Sequence, residues 1–317
     1  MTAAMGPGAG PTQPAAPGGA PPIAEVSAEA AAHGVPGGLS GALRRIWQDR
    51  NGKLGLLLVG ALALVAVAAA VGLTPYDPLA QAPGDRLQGP SAAHWFGADQ
   101  FGRDIASRSF AGIAASMRVA LAAVAVAALI GSLLGIAAGF FGGIVDTVVG
   151  RLADVLFAFP AILLALAIVA ALGHGWVNTA VAIAVVYTPI FVRVARGPVL
   201  SVREMDYIHA GRVLGFSSSR LLFRHVLPNV SAPIAVQVTL ALSWAILTEA
   251  GLSFLGLGAQ PPQPSLGLMV SESRNLITEA WWTFAFPAAV IVIAVVALNL
   301  LGDGLRSALD PREAGRA

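Results

Sequence analysis

VALAAVAVAALIGSLLGIAAGFFGGIV, residues 119–145, contains no charged side chain. A helix needs about 20 residues, at roughly 1.5 Å each, to cross a hydrocarbon core of about 30 Å. This run exceeds that length, so it predicts a membrane-spanning helix. Five other charge-free runs have a comparable length: 54–73, 155–172, 176–192, 230–248 and 280–302. The sequence therefore predicts an all-α membrane protein with six transmembrane helices.

The overall composition agrees with lipid as the solvent. Of the 317 residues, 56% are hydrophobic and 11% charged, against about 25% charged in an ordinary soluble domain. The absence of cysteine excludes disulfides, thiolate nucleophiles and cysteine-ligated clusters. The basic residues are scattered between the apolar runs rather than clustered, so we expect contact with the lipid bilayer and no nucleic-acid partner.

The two ends of the chain are predicted to face the cytoplasm. Lys and Arg concentrate on cytoplasmic loops, and with six spans only five of the 19 basic residues fall on the other side: Arg86, Arg103, Arg108, Arg118 and Arg274. Residues 1–43 are rich in Ala, Gly and Pro and have few large side chains, which predicts a disordered tail.

Glycines recur every fourth residue in the second apolar run, at Gly131, Gly135, Gly139 and Gly143. This spacing places them on one helical face, and small residues let membrane helices approach closely. Tight packing is predicted there, either within the chain or against a second subunit.

No catalytic residue, cofactor site or metal site is predicted. A phosphate-binding loop of the type G-x-x-x-x-G-K-[ST] needs a lysine followed by Ser or Thr, and the single lysine, Lys53, precedes Leu54. The histidines do not stand at the helical spacing of metal ligands. Any ATP use therefore requires a partner.

Charged residues near the apolar runs are few. The runs themselves contain none, which argues against a proton-coupled or sodium-coupled carrier. Arg151 and Asp154 have the spacing of an i,i+3 ion pair. For Glu249, next to the fifth run, two interpretations stay open: structural anchoring and lining of a transport pathway.

The long loop between the fourth and fifth runs contains a predicted short helix, EMDYIHAGRVLG at 204–215, closed by Gly215. One face carries Tyr207, Ala210, Gly211 and Leu214. A helix this short is marginal alone in water, so it needs a partner surface, or else packs on its own bundle. Ser217 is predicted to cap a second helix that Pro228 limits.

This loop resembles the EAA loop of the membrane subunits of binding-protein-dependent ABC importers, whose pattern is E-A-A-x-x-x-G-x9-I-x-L-P. Ala210, Gly215, Leu227 and Pro228 match it, whereas His209, Gly211 and His225 depart from it. Further strings resemble the C-type permeases of dipeptide, oligopeptide and nickel importers: YDP at 76–78, FGADQFGRD at 96–104, RHVLPN at 224–229, LSFLGLG at 252–258 and LNLLGDGLR at 298–306.

The resemblance implies a type I ABC importer permease that forms half of a pathway for dipeptides or oligopeptides across the bacterial cytoplasmic membrane. It implies a homologous second permease, two cytoplasmic ATPase subunits that bind ATP and Mg²⁺, and an extracytoplasmic solute-binding protein. The ATPase-coupling residues would be Glu204, Met205, Tyr207, Ile208, Ala210, Gly211, Leu214, Gly215, Leu227 and Pro228.

The resemblance also divides the chain. The first span and an outward loop occupy 44–112, a five-helix permease core occupies 113–302 with the EAA loop at 201–229, and a cytoplasmic tail occupies 303–317. The outward segments 93–110 and 256–282 are candidates either for docking the binding protein or for aromatic anchoring at the membrane interface. Nickel or haem as substrate, and a self-sufficient secondary transporter, are the alternative functions.

Overall fold

The computed structural model describes residues 38–309, and within them the regular structure is helical. The helices are α1 (Gly38–Gln48), α2 (Arg50–Ala70), α3 (Ile105–Phe141), α4 (Gly143–Phe157), α5 (Ala161–Leu172), α6 (Trp176–Arg203), α7 (Asp206–Val213), α8 (Ser218–Leu221), α9 (Leu227–Phe254), α10 (Leu266–Ser273) and α11 (Trp282–Leu309). Short 3-10 turns occupy Pro83–Asp85 and Arg274–Leu276, and a π turn occupies Leu222–Val226. Most of the predicted N-terminal tail and the last eight residues lie outside this range.

Within residues 38–309, five helical segments are long and apolar enough to cross a membrane: α2, α3, α6, the segment Ser218–Phe254 and α11. A sixth consists of α4 and α5 together, which meet at an angle of 91°. The predicted all-α membrane fold is thereby confirmed. Which end of the bundle faces the cytoplasm stays a prediction.

The third predicted span, 155–172, is bent sharply and begins earlier, at Gly143. It contains the end of α4, the bend and α5, with Pro160 at the N-cap of α5. A proline lacks the N–H that would bond back to the preceding turn, and it disfavours helical geometry in the residue before it. The chain therefore turns at 158–160 although every residue there is apolar.

Several predicted boundaries also move. α3 begins at Ile105, well before residue 119, so Arg108 and Arg118 lie inside the helix. It ends at Phe141, and Gly142 follows with a φ of 67°. α1 begins at Gly38, inside the predicted tail 1–43, and α11 continues to Leu309, inside the predicted tail 303–317.

The core forms two apolar clusters along the pair of long helices α3 and α6. The larger cluster contains Ile113, Val124 and Ile183 together with residues of α9 and α11. The smaller one lies near α7 and contains Phe140 and Val199. At the opposite end, residues 76–104 and 259–282 fold over the bundle, and we call them the cap. The long helices thus support one candidate site at each end.

Candidate functional site

The short helix α7 is closed by a glycine-based cap. Gly215 has a φ of 78°, its N–H donates to the carbonyl of Arg212 at 3.0 Å, and the N–H of Phe216 donates to the carbonyl of Gly211 at 2.9 Å. This pair of bonds is the Schellman motif, which needs a residue in the left-handed conformation just past the helix. This Schellman motif fixes the residue at which α7 ends and the chain turns.

One side of α7 packs on the bundle. Ile208 is fully buried in the smaller apolar cluster, beside residues of α3 and α6. Gly211 is buried too, and a Cβ there would lie 2.8 Å from Cδ2 of Leu221. The prediction that Gly211 belongs to the partner-facing side is therefore wrong, because its missing side chain makes room for Leu221.

The other side of α7 exposes several apolar side chains, with the polar Asp206 and His209 between them. Val213 and Leu214 expose 89% and 73% of their surface, and Met205, Tyr207 and Ala210 are exposed as well. Buried contacts on one side and exposed apolar side chains on the other are typical of a surface that binds another protein. We call these five residues the α7 surface.

Polar side chains make contacts around the α7 surface. The amide of Asn229 donates to the Tyr207 hydroxyl at 3.5 Å, and the His225 ring lies 6.0 Å from the Tyr207 ring. Partial burial raises the pKa of the Tyr207 phenol above its usual value, so the hydroxyl stays protonated at physiological pH. Glu204 lies 3.0 Å from Arg203 and 3.7 Å from His209.

The chain after α7 is continuous with the fifth span. The Ser217 hydroxyl caps α8 by accepting from the N–H of Arg220 at 3.3 Å, as the sequence predicts. Pro228 does not limit this helix, contrary to the prediction. It lies in the first turn of α9, directly after the π turn, and a proline is tolerated in a first turn. Leu227 and Pro228 therefore belong to the start of the span.

Glu249 lies buried near the end of α9, with 3% of its surface exposed. Its carboxylate accepts hydrogen bonds from the hydroxyls of Ser116 on α3, Ser253 on α9 and Ser265 before α10. The Ser253 and Ser265 distances are 2.7 and 3.5 Å. One carboxylate thus joins α9 to α3 and to the segment before α10. Ser116 and Ser265 were not identified from the sequence because they lie on other segments, whereas Ser253 lies one helical turn from Glu249.

Three of the four glycines in the predicted row lie against α6. A Cβ at Gly131 would lie 2.5 Å from the Thr188 carbonyl oxygen, and one at Gly139 would lie 2.9 Å from the Val199 side chain. Gly135 meets the backbone of Val192. Gly143 does not belong to this row, since α3 ends at Phe141 and Gly143 begins α4 with open space around it.

The predicted Arg151–Asp154 pair is replaced by two bridges between helices. Arg193 of α6 lies 2.8 Å from Asp154, and Arg196 donates through Nε and Nη2 to both carboxylate oxygens of Asp146, the second at 2.7 Å. α4 packs against α6, which brings the carboxylates of Asp146 and Asp154 within reach of the α6 arginines. The bridges fix α4 against α6.

Ion pairs that the sequence analysis did not identify hold the cap together. Asp99 lies 2.6 Å from Arg103 and 3.7 Å from Arg108, and Arg103 lies 3.5 Å from Glu272 of α10. The Trp282 indole donates to the carbonyl of Ala98 at 3.3 Å. The two segments proposed for docking or anchoring therefore form one surface.

Aromatic residues of the cap divide into supporting and exposed groups. Phe96 stacks on Phe286 of α11 with ring centroids 4.4 Å apart. Trp95, Phe101 and Trp281 expose 58%, 45% and 55% of their surface. The exposed group is available for contact with either lipid or a partner.

A bundle of apolar spans with an exposed helix at one end and a folded cap at the other defines a multi-pass membrane protein. The chain belongs to the family of binding-protein-dependent transport system inner membrane components, which matches residues 131–315. It is accordingly an ABC importer permease.

Individual relatives cover most of the chain. The dipeptide transport system permease protein DppC of Alkalihalophilus pseudofirmus is 45% identical over 86% of this chain and 89% of its own. The di/tripeptide transport system permease protein DppC of Pseudomonas aeruginosa is 42% identical over 85% and 92%, and the glutathione transport system permease protein GsiD of Pectobacterium atrosepticum is 45% identical over 79% and 84%.

Proposed function

We propose that this permease carries dipeptides or short oligopeptides across the bacterial cytoplasmic membrane. The three relatives described above are named for a dipeptide, for di- and tripeptides and for glutathione, itself a small peptide. None of these three is named for nickel or haem, which are the alternative cargoes.

The α7 surface is proposed to bind an ATPase subunit. The observation that carries this proposal is the two-sided packing of α7, which is fixed to the bundle through Ile208 and exposes Val213 and Leu214. In this arrangement a push on α7 is transmitted through the smaller cluster to α3 and α6. ATP and Mg²⁺ would be bound by two partner ATPases and not by this chain.

The remaining partners are proposed to be a homologous second permease and an extracytoplasmic solute-binding protein. For the binding protein, the cap offers Trp95 and Phe101, which are exposed although the cap around them is held by ion pairs. A deletion of residues 95–102 should lower the affinity for the binding protein. If only membrane insertion suffers, these aromatic residues serve as interfacial anchors instead.

Substitution of Gly215 tests the coupling role. Gly215→Val should abolish transport-coupled ATP hydrolysis and weaken binding of the ATPase, because a β-branched residue does not tolerate a φ of 78°. Nothing lies within 4 Å of a Cβ at this position, so the effect isolates the backbone. Gly215→Asn is the matched control, since Asn adopts this conformation more readily.

The measurement is peptide uptake and ATPase activity of the reconstituted complex, with the amount of the chain in membranes determined in parallel. Full assembly and uptake with Gly215→Val would contradict the coupling role. The peptide proposal is tested separately by the uptake of a labelled dipeptide in cells that lack the gene and in cells that carry it, with nickel and haem uptake measured alongside.

A further inference from the structure

Helix α1 precedes the first span, and its side chains are divided by polarity. Successive residues on a helix are about 100° apart, so Leu43, Ile46 and Trp47 fall within an arc of about 100°. Ile46 is buried against the bundle, while Leu43 and Trp47 expose 52% and 49% of their surface. Arg44 and Gln48 are exposed and lie beyond Trp47 on the arc.

Contacts fix α1 at the boundary of the membrane. Only Asp49 separates it from the spanning helix α2, and the Asp49 carboxylate accepts the N–H of Gly52 at 2.6 Å. On the other side, Arg45 donates to the carbonyl of Ala308, in the last turn of α11, at 3.3 Å. Since α2 and α11 are both spans, α1 lies at the level where two spans leave the hydrocarbon.

Exposed cations predominate on the surface around α1, to which Asp49 and Asp303 add two carboxylates. Arg44, Arg50, Lys53 and Arg306 are exposed there, and none has an ion-pair partner among the described residues. The Lys53 ammonium lies 5.3 Å from the centre of the Trp47 ring, so one of these charges lies directly beside the exposed apolar group. Exposed cations next to exposed Leu and Trp are typical of a helix in the membrane–water interface.

We propose that α1 and the first turn of α2 form an interfacial binding surface for anionic phospholipid headgroups. Leu43 and Trp47 enter the acyl boundary beside α2, while Arg44, Arg50 and Lys53 contact the phosphates. The charge complementarity and the continuity with α2 favour a lipid surface over a protein partner. Bound lipid holds α1 against the end of α11.

The experiment uses the full-length chain in nanodiscs of phosphatidylcholine with phosphatidylglycerol, followed by extraction in mild detergent and mass spectrometry of the retained lipid. The unsubstituted chain should retain phosphatidylglycerol in excess over its share in the nanodisc. Arg44→Gln/Arg50→Gln/Lys53→Gln should lower this excess at least tenfold, since each basic residue near an anionic surface contributes about fivefold in affinity. Arg44→Lys/Arg50→Lys is the matched control that keeps the charge and should keep the excess.

A second variant, Leu43→Gln/Trp47→Gln, keeps every charge and should also reduce retention if α1 lies in the interface. Thermal unfolding of each variant shows that the bundle is intact. Equal retention of both lipids by the unsubstituted chain would overturn the proposal. So would displacement of phosphatidylglycerol by millimolar inorganic phosphate, which would indicate a site for free anions.

Discussion

At the scale of single residues, the glycines of α3 determine how closely two helices approach. Gly135 meets the backbone of Val192, which does not move aside as a flexible side chain would. Gly135→Ala should therefore lower the stability by about 1–3 kcal/mol, the usual cost of overpacking. The measurement is thermal unfolding in detergent.

The control for this substitution lies on the partner helix. Gly197 of α6 has open space where a Cβ would go, and Ala is the better helix former. Gly197→Ala should leave the melting temperature unchanged or raise it. Equal losses for Gly135→Ala and Gly197→Ala would show that the α3–α6 contact is looser than described.

Glu249 is inferred to be an anchor, because its carboxylate is buried and bonded to hydroxyls from three segments. Glu249→Ala leaves these hydroxyls without their acceptor and should cost about 1–3 kcal/mol. Glu249→Gln keeps the shape and an acceptor oxygen, so both stability and peptide uptake should stay close to those of the unsubstituted chain. A loss of uptake with Glu249→Gln at an unchanged melting temperature would favour a pathway-lining role instead.

At the scale of elements, the two sides of α7 have separable roles. Ile208→Ala should destabilise the permease by about 2–4 kcal/mol, because it opens a cavity in a fully buried position. Leu214→Ala removes an exposed side chain and should leave stability unchanged while weakening the association with the ATPase. The measurements are thermal unfolding and co-purification of the ATPase.

The reverse pattern, with Leu214→Ala unfolding the permease and Ile208→Ala impairing only association, would contradict the assignment of the two sides. An unchanged association with Leu214→Ala would place the ATPase elsewhere on this end of the bundle.

The existence of the apolar spans could be predicted from the sequence because the cost of burying charge in lipid shapes every one of them. The geometry of these spans could not be predicted in the same way. Charge-free runs do not reveal the angle of a bend, so the 91° turn at 158–160 could not be derived from Pro160 alone. Arg108 was placed outside the helix because the charges of Asp99 and Glu272, which lie on other segments, are not adjacent to it in the sequence.

At the candidate sites, too, only features that are local in the sequence could be predicted. Gly215 was predicted correctly as the end of α7, because a helix cap is a local feature. The burial of Gly211 and the contacts of Ser116 and Ser265 with Glu249 depend on other segments, and local periodicity carries no information about them.

At the scale of the whole molecule, the predicted orientation places the α7 end in the cytoplasm and the cap outside. The chain has no cysteine, so single cysteines are unique labels. Ser219→Cys, at an exposed position after α7, should be unreactive toward a membrane-impermeant maleimide in intact spheroplasts and reactive after permeabilisation. Gln81→Cys in the cap should react in both conditions.

Labelling of Ser219→Cys in intact spheroplasts would show that the α7 end of the bundle faces outward. It would also contradict the proposal that the α7 surface binds the ATPase. The unsubstituted chain, which lacks thiols, is the control for background labelling.

The bend between α4 and α5 has a consequence for the surrounding bilayer. α5 has 12 residues, which cover at most about 18 Å of the membrane thickness and fall short of a hydrocarbon core of about 30 Å. The carbonyls of Leu172 and Gly173 at its end accept from the Asn178 amide at 2.9 and 3.1 Å, so this end is supplied with partners in the absence of water. Beside α5 the chain creates a hydrophobic mismatch, which is relieved by a locally thinner membrane or by a neighbouring subunit that takes the place of lipid.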